Sequence, residues 1–264
     1  MSPQNLLEPK KIENTSLGYR IFCYDSLPST NDWAKRVAQR SKEERIVILA
    51  ETQTSGKGRL KRYWVSPKGG VWLSIILRPK MPPQGVLKLT FIASLAVANT
   101  INEMFHLKTE VKWPNDVLVN GKKVCGILTE ANIRKNAVEF VVLGVGINAN
   151  IKLESFPCDL QNTATSLKHE LCNTIDLRPF IKKFLRYFDR YYKRLQQGLW
   201  RMLLQEWKCL ASFLGKQVEI NIDSAILVGK AWDITEDCAL ILRLDDGILK
   251  KILTGDVKLC VRKS

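Results

Sequence analysis

The chain has 264 residues, room for one large domain with a small appendage or for two modest domains. Apolar residues make up 45% and charged residues 25%, ordinary globular values that exclude disorder, collagen and coiled coil. Lys and Arg total 41 against 26 acids, a net charge of +15 that favours an anionic partner without saying which.

The charge is uneven: between Glu51 and Glu103 there is no acid, but there are eight basic residues. No apolar run approaches the ~18–20 residues that span a bilayer. The opening MSPQNLLEPKKIENTS lacks the apolar core of a signal peptide, so a soluble, cytoplasmic protein without membrane partners is expected. Seven cysteines with no CxxC pair read as reduced packing thiols. The two histidines, His106 and His169, have no partner at metal spacing, and no G-x-S-x-G elbow is present. Ser-His-Asp hydrolysis and histidine-based metal chemistry are therefore poor readings.

In chain order, Tyr19–Tyr24 alternates like a strand. Ser29-Thr30-Asn31-Asp32 then reads as a helix cap before apolar Trp33, Ala34, Val37 and Ala38. Ile46–Ala50 and Gly70–Leu77 are buried-strand runs around a Gly/Ser/Lys/Arg loop, and Leu87–Phe105 is an apolar helix buried against a sheet. Val111–Val119, Lys122–Glu130 and Val138–Ile147 read as strands, the first two joined by the hairpin signal Asn120-Gly121. Pro179–Leu195 is an amphipathic helix with a basic solvent face, and Trp200–Leu210 is also helical. From Phe213 the pattern changes to five short β runs, Val218–Ile222, Ala225–Trp232, Ala239–Leu244, Leu249–Leu253 and Val257–Val261. A mixed α/β domain over 1–212 and a small β-barrel over 213–264 follow.

Three stretches could carry chemistry. The loop from Glu51 to Gly70 places Gly56 and Gly58 where backbone amides can approach an anion, with Lys57, Arg59, Lys61 and Arg62 adding charge. It matches neither a Walker A loop nor a dinucleotide fingerprint, and a flexible basic loop is the plain alternative. In the hairpin, a two-residue turn pairs Val119 with Lys122, Leu118 with Lys123 and Asp116 with Cys125. Lys112, Asp116 and Lys123 then share one face. That is either an acid–base and phosphate constellation or a surface salt bridge. Gly144, Gly146 and Asn148 also share a face, giving either a smooth floor for a flat ligand or a close packing contact.

Together and in this order, these segments resemble the biotin–protein ligases. The motifs are Gly-x-Gly-Arg with Trp-x-Ser-Pro-x-Gly-Gly, then Lys-Trp-Pro-Asn-Asp, Lys-x-x-Gly-Ile-Leu and Gly-x-Gly-Ile-Asn, with Ser29-Thr30-Asn31 upstream. The likeness is strong from about Tyr24 to Asn150 and weaker through the C-terminal barrel. It implies an α+β fold, a mixed sheet with helices like the class II aminoacyl-tRNA synthetases, plus an SH3-like barrel.

It also implies a two-step reaction in which biotin and MgATP give biotinyl-AMP, and a lysine of a biotin carboxyl carrier protein then takes the biotinyl group. By resemblance, biotin meets Ser29, Thr30, Asn31, Gln53, Gly56, Lys57, Gly58, Arg59, Lys123 and Gly126. The nucleotide meets Arg59, Arg62, Trp64, Lys112, Asn115, Gly144, Gly146 and Asn148. Arg59 and Lys123 would neutralise the α-phosphate, Asp116 would orient or deprotonate the acceptor lysine, and Lys112 would support phosphate. Lys250 is a further candidate for phosphate, and a homodimer is possible.

Lys57 stands where many relatives have Arg, and lysine cannot make a bidentate contact. Some relatives are repressors with an N-terminal helix-turn-helix domain. Only some twenty residues precede the first strand here, so a ligase without sequence-specific DNA binding is expected. The competing readings are a lipoate–protein ligase and a basic nucleic-acid-binding protein.

Overall fold

The computed structural model describes residues 8–222 and 225–260. In chain order the elements are β1 (Lys11–Asn14), β2 (Arg20–Leu27), α1 (Thr30–Arg40), β3 (Ile46–Gln53), β4 (Val71–Leu77) and α2 (Leu87–Phe105). The antiparallel strands β5 (Thr109–Lys112), β6 (Asp116–Val119), β7 (Lys122–Arg134) and β8 (Ala137–Ile147) follow. Next come helices α3 (Cys158–Gln161), α4 (Leu167–Leu171), α5 (Leu177–Gln196) and α6 (Trp200–Leu210). The chain ends in β9 (Gln217–Ile222), β10 (Ala225–Ile234), β11 (Leu240–Arg243), β12 (Leu249–Ile252) and β13 (Asp256–Leu259).

The first eight strands form one mixed sheet in the order β1-β2-β3-β4-β8-β7-β6-β5, parallel between β2 and β3. Alternation along the central strands sends their side chains into two separate cores. Ile46, Ile48 and Ile76 face α1, with Trp33, Ala34 and Ala38. Val47, Leu73, Ile75 and Leu77 face α2, which is apolar nearly all round because α5 and α6 cover its other side. There Trp207 stacks on Phe91 at 4.3 Å, and its Nε1 donates to Ser94 Oγ at 2.9 Å, which satisfies a buried donor. Pro83–Phe105 has the length and mean hydropathy of a spanning helix, which the run-length expectation overlooked. Its burial inside the fold accounts for that composition.

The last five strands form an antiparallel sheet, β12-β11-β10-β9-β13, whose inner residues Val218, Ile220, Leu240, Leu242 and Val257 join the α2 core. Two tryptophans tie the units: Trp113 Nε1 donates to Cys238 O at 2.9 Å, and Trp200 Nε1 to Glu236 O at 2.7 Å. The last expected strand ran to Val261, which lies outside the described residues. All seven cysteines are free, and burial pushes the Cys238 thiol up to about 12, an inert packing group.

Two expectations need correction. Val111–Val119 is not one strand: a turn through the cis Trp113–Pro114 bond splits it into β5 and β6, which pair back on each other with Lys112 opposite Asp116. Asp116 lies opposite Gly126, not Cys125, because β7 is bulged where Val117 pairs with Cys125 and Leu118 with Lys123. A bulge adds a residue that no turn rule announces. Strand β1 and helices α3 and α4 carry too little periodicity to have been read.

Candidate active site

On the α1 side of the sheet, a polar network opens the site. Ser29 caps α1, its Oγ accepting from Asp32 N at 3.4 Å. Thr30 N and Oγ1 both donate to Gln53 Oε1, at 2.8 and 3.0 Å, and Gln53 Nε2 donates to Ser66 Oγ at 2.8 Å. Ser74, fully buried in an apolar strand, lies 2.8 Å from Thr30 Oγ1 and 2.6 Å from Asn31 Oδ1. Asn31 Nδ2 in turn donates to Glu130 Oε2 and Leu128 O, so its amide is spent within the protein. The open face of Gly144 is taken by this side chain, since a methyl there would lie 2.1 Å from Asn31 Oδ1. Gly144 makes room for α1 and does not reach the floor that Gly146 and Gly126 form.

That floor lies under Trp64. A methyl at Gly146 would come within 2.6 Å of the indole Nε1, and one at Gly126 within 2.8 Å of the ring. Lys123 Nζ stands 5.0 Å from the same ring and forms an ion pair with Asp116 Oδ1 at 2.7 Å. Lys112 Nζ is 3.8 Å from the other Asp116 oxygen. The three residues therefore converge, through pairing across β5 and β6 as well as alternation. Lys123 is fixed at its backbone by Thr163 O and Thr165 N, at 2.8 and 2.9 Å. Asn148, 2% exposed, donates from Nδ2 to Thr165 O at 3.0 Å, while its buried Oδ1 has no partner. The Trp64 Nε1 is likewise buried and unpaired. Two orphaned polar atoms beside a glycine floor suit a flat ligand carrying donors and acceptors.

The basic loop closes over this floor as a flap. It folds on itself, with Gly58 N donating to Arg62 O at 2.8 Å and Trp64 N to Gly56 O at 2.9 Å, so the Gly58 amide is engaged in this conformation. Leu60 and Lys61 at its tip hold φ of 54° and 59°, left-handed backbone that costs L-residues about 1–2 kcal/mol each. Lys57 is tied to α1 through Asp32 Oδ2 at 2.5 Å. Arg59 Nη1 donates to Asn115 Oδ1 at 3.2 Å and lies 3.6 Å from Asp256, while Arg62 Nη1 lies 2.5 Å from Asp256. Burial pulls the Arg59 guanidinium below its ordinary value, opposed by Asp256 and Asp116; an arginine keeps its charge regardless. Asn115 clasps β7, its Nδ2 donating to Ile127 O at 2.8 Å and its carbonyl accepting from Ile127 N at 3.0 Å, and so serves to orient Arg59.

Thr30, Gln53, Lys112, Asp116, Lys123, Gly126, Gly146 and Asn148 thus gather on one face beside the Ser29 cap, with Gly56 and Trp64 of the flap over it. Lys250 sits exposed on β12 and makes no ion pair among the described residues. Sequence reasoning missed Ser74, Asp32 and Asp256. A lone serine inside the run Val71–Leu77 was a readable sign of a buried polar hub. Asp256 carried no such signal.

The fold and the comparisons with known proteins together define an enzyme of the ligase class. The Biotin/lipoate A/B protein ligase family matches residues 23–148, and the Biotin protein ligase C terminal domain matches residues 213–259. The bifunctional ligase/repressor BirA of Bacillus subtilis is 36% identical over 244 residues, covering 92% of this chain and 75% of that protein. A biotin--[acetyl-CoA-carboxylase] ligase of Paracoccus denitrificans is 30% identical over 199 residues, 74% of this chain and 83% of its own. The biotin protein ligase of Aquifex aeolicus in complex with biotin and ATP superposes with a TM-score of 0.77 at 25% identity, covering 91% of this chain and 98% of that one. The chain belongs to the biotin protein ligase family, enzymes of the ligase class.

Proposed function

We propose that this chain joins biotin to a lysine of the carboxyl carrier protein of acetyl-CoA carboxylase or a related carboxylase, with residues 1–212 catalytic and 213–264 a supporting unit. The observation that carries the reading is the Lys123–Asp116 pair set beside a two-glycine floor under an arginine-bearing flap. In the first step a biotin carboxylate oxygen attacks the α-phosphorus of ATP, the bond to the bridging oxygen breaks, and pyrophosphate leaves. Charge stabilisation and positioning suffice for this displacement, so no protein nucleophile is needed. Lys123 and Arg59 offset the charge, and Ser29, Thr30 and Gln53 hold the polar head of biotin. The indole of Trp64, the Gly146 floor and the free Asn148 Oδ1 receive the adenine.

In the second step the carrier lysine attacks the acyl carbon, AMP leaves, and the amine loses a proton. A free lysine is nearly all protonated at neutral pH, with a pKa of about 10.4. In this reading Asp116, paired with Lys123, orients it or accepts the proton. Among the described residues no three His, Cys, Asp or Glu side chains cluster as metal ligands. Mg²⁺ would be held by nucleotide phosphates and water, its usual ligands, rather than by an all-protein cage, and would there help neutralise phosphate charge.

Mass measurement of a biotin carboxyl carrier domain after incubation with ATP, biotin and this chain tests the reading. A gain of one biotinyl group is expected. No gain with biotin, but modification when lipoate replaces it, would assign the lipoate reading instead.

A further inference from the structure

Helix α5 carries seven basic residues and a single acid, Asp189, which is buried. Three of the seven are ion-paired: Lys183 with Glu103, Lys193 with Asp189 at 2.8 Å, and Arg194 with Glu206 at 2.7 Å. The other four are Arg178, Lys182, Arg186 and Arg190. All four are exposed, and none makes an ion pair among the described residues. Each is four residues from the next, so they form a row along one face, spaced by about 6 Å and some 18 Å long. Like charges at this spacing repel, so the row brings the helix no stability of its own. Glu13, whose charge Arg178 and Lys182 feel, is already held by Lys11 at 2.6 Å. Arg190 is braced from below, its guanidinium 6.0 and 5.9 Å from the stacked rings of Tyr187 and Tyr191.

We propose that this face of α5 binds the phosphate backbone of nucleic acid, without regard to sequence. A row of fixed cations on a convex helix face matches a regular line of phosphates and gains affinity by counterion release. The alternatives fit less well. Helices that lie in a membrane surface insert large apolar side chains, and α5 exposes none. Protein interfaces centre on buried aromatic or aliphatic anchors, which this face also lacks. The surface is separate from the nucleotide cleft, because α5 packs against α2 on the opposite side of the sheet from Asn31 and α1. It therefore stands whether or not the ligase reading does.

The test is fluorescence anisotropy of a labelled random-sequence DNA duplex between about 50 and 200 mM salt, where the logarithm of affinity plotted against the logarithm of salt concentration should fall with a slope of about 0.9 per phosphate neutralised. The quadruple variant Arg178→Gln, Lys182→Gln, Arg186→Gln, Arg190→Gln should lose about three to four from that slope and at least about tenfold in affinity at the lower salt. Its thermal unfolding should match the parent, which reports that it is folded, and so should its rate of biotinyl transfer. A charge-retaining variant, with the three arginines changed to lysine, should bind like the parent. An unchanged slope in the glutamine variant, loss of binding in the lysine variant, or binding to phosphatidylserine vesicles without binding to the duplex overturns the proposal.

Discussion

Arg62 Nη1 lies 2.5 Å from Asp256 Oδ2, and Arg59 reaches the same carboxylate at 3.6 Å. Both arginines of the flap are thus anchored on the first residue of β13, with Gly255 O and Thr254 Oγ1 each 3.4 Å from Arg59. The small sheet thus holds, through one acid, Arg59, one of the two cations that the proposed chemistry sets against phosphate, together with its neighbour Arg62.

Asp256→Asn removes that anchor. The Arg62 side chain is 65% exposed and Asp256 27%, and pairs of such exposure are worth up to about 1 kcal/mol. Limited trypsinolysis of the ligand-free protein should cut at Lys61 and Arg62 up to about fivefold faster in the variant, the factor that energy allows. Biotin with ATP should narrow the difference. Equal nicking rates without ligands would show that Asp256 does not restrain the flap.

Lys123 and Asp116 should separate the two half-reactions. Lys123→Ala removes the cation nearest the floor and should slow biotin-dependent pyrophosphate release by about 10²–10³, the usual cost of losing one charge-stabilising donor. Asp116→Asn should leave pyrophosphate release within about tenfold of the parent while cutting transfer to the carrier by 10² or more, as befits a general base of about that worth. Single-turnover measurement of each step reads both. If Asp116→Asn suppresses adenylate formation as strongly as transfer, its role is to position Lys123.

How much of this was legible depended on range. The Asn120-Gly121 turn, the α1 cap at Ser29 and the apolar run of α2 are local, and backbone preference with periodicity suffices to read them. The convergence of Lys112, Asp116 and Lys123 was readable because a tight turn nearly fixes register. The pairing of Asp116 was misread by one position because the β7 bulge depends on contacts with Asn115 and Asn148, not on the turn. Asp256 was illegible: its partners are far upstream, and an acid opening a short strand resembles any surface residue. Asn31 was assigned to biotin, yet Ser74, Leu128 and Glu130 claim its amide, which only the packed sheet reveals.

Ser74 gives a stability test of the polar network. Its hydroxyl is fully buried between Thr30 and Asn31. Ser74→Ala leaves those partners short of a bond and should cost about 1–3 kcal/mol in denaturant unfolding. Because Thr30 shares the network with Gln53, the biotin KM should rise while the ATP KM holds. A loss of stability with no change in biotin KM would mark the network as scaffold alone.

Acid stability has a local contribution where α2 meets α5. Lys183 and then Tyr187, bonded to Glu103, hold that carboxyl below the usual range. A depressed carboxylate contributes stability above its unfolded pKa, and that contribution is lost as pH falls through the folded value. Thermal unfolding followed from pH 6 down to pH 3 should therefore show a shallower decline for Glu103→Gln than for the parent. Tyr187 is pushed up to about 12, chiefly by its bond to Glu103, so its share fades instead between pH 10 and about 12. Parallel acid limbs for the two proteins would remove Glu103 from the account.

Gly146→Ala probes the floor directly. Its methyl would meet Trp64 Nε1 at 2.6 Å, closer than unbonded atoms approach, so the indole must move. Trp64 belongs to a flap rather than to the α2 core, and it can yield without disturbing β8. The variant should keep its melting temperature within a few degrees, shift tryptophan emission to the red as the ring gains water, and raise the ATP KM by about tenfold, equivalent to 1.4 kcal/mol. Gly144→Ala presses instead on Asn31, whose amide is locked by three partners and has nowhere to go. Overpacking of that kind costs about 1–3 kcal/mol, so this variant should lose stability where Gly146→Ala does not. If the two glycines respond alike, the contrast between a yielding flap and a fixed helix fails, and Gly146 is only a packing contact.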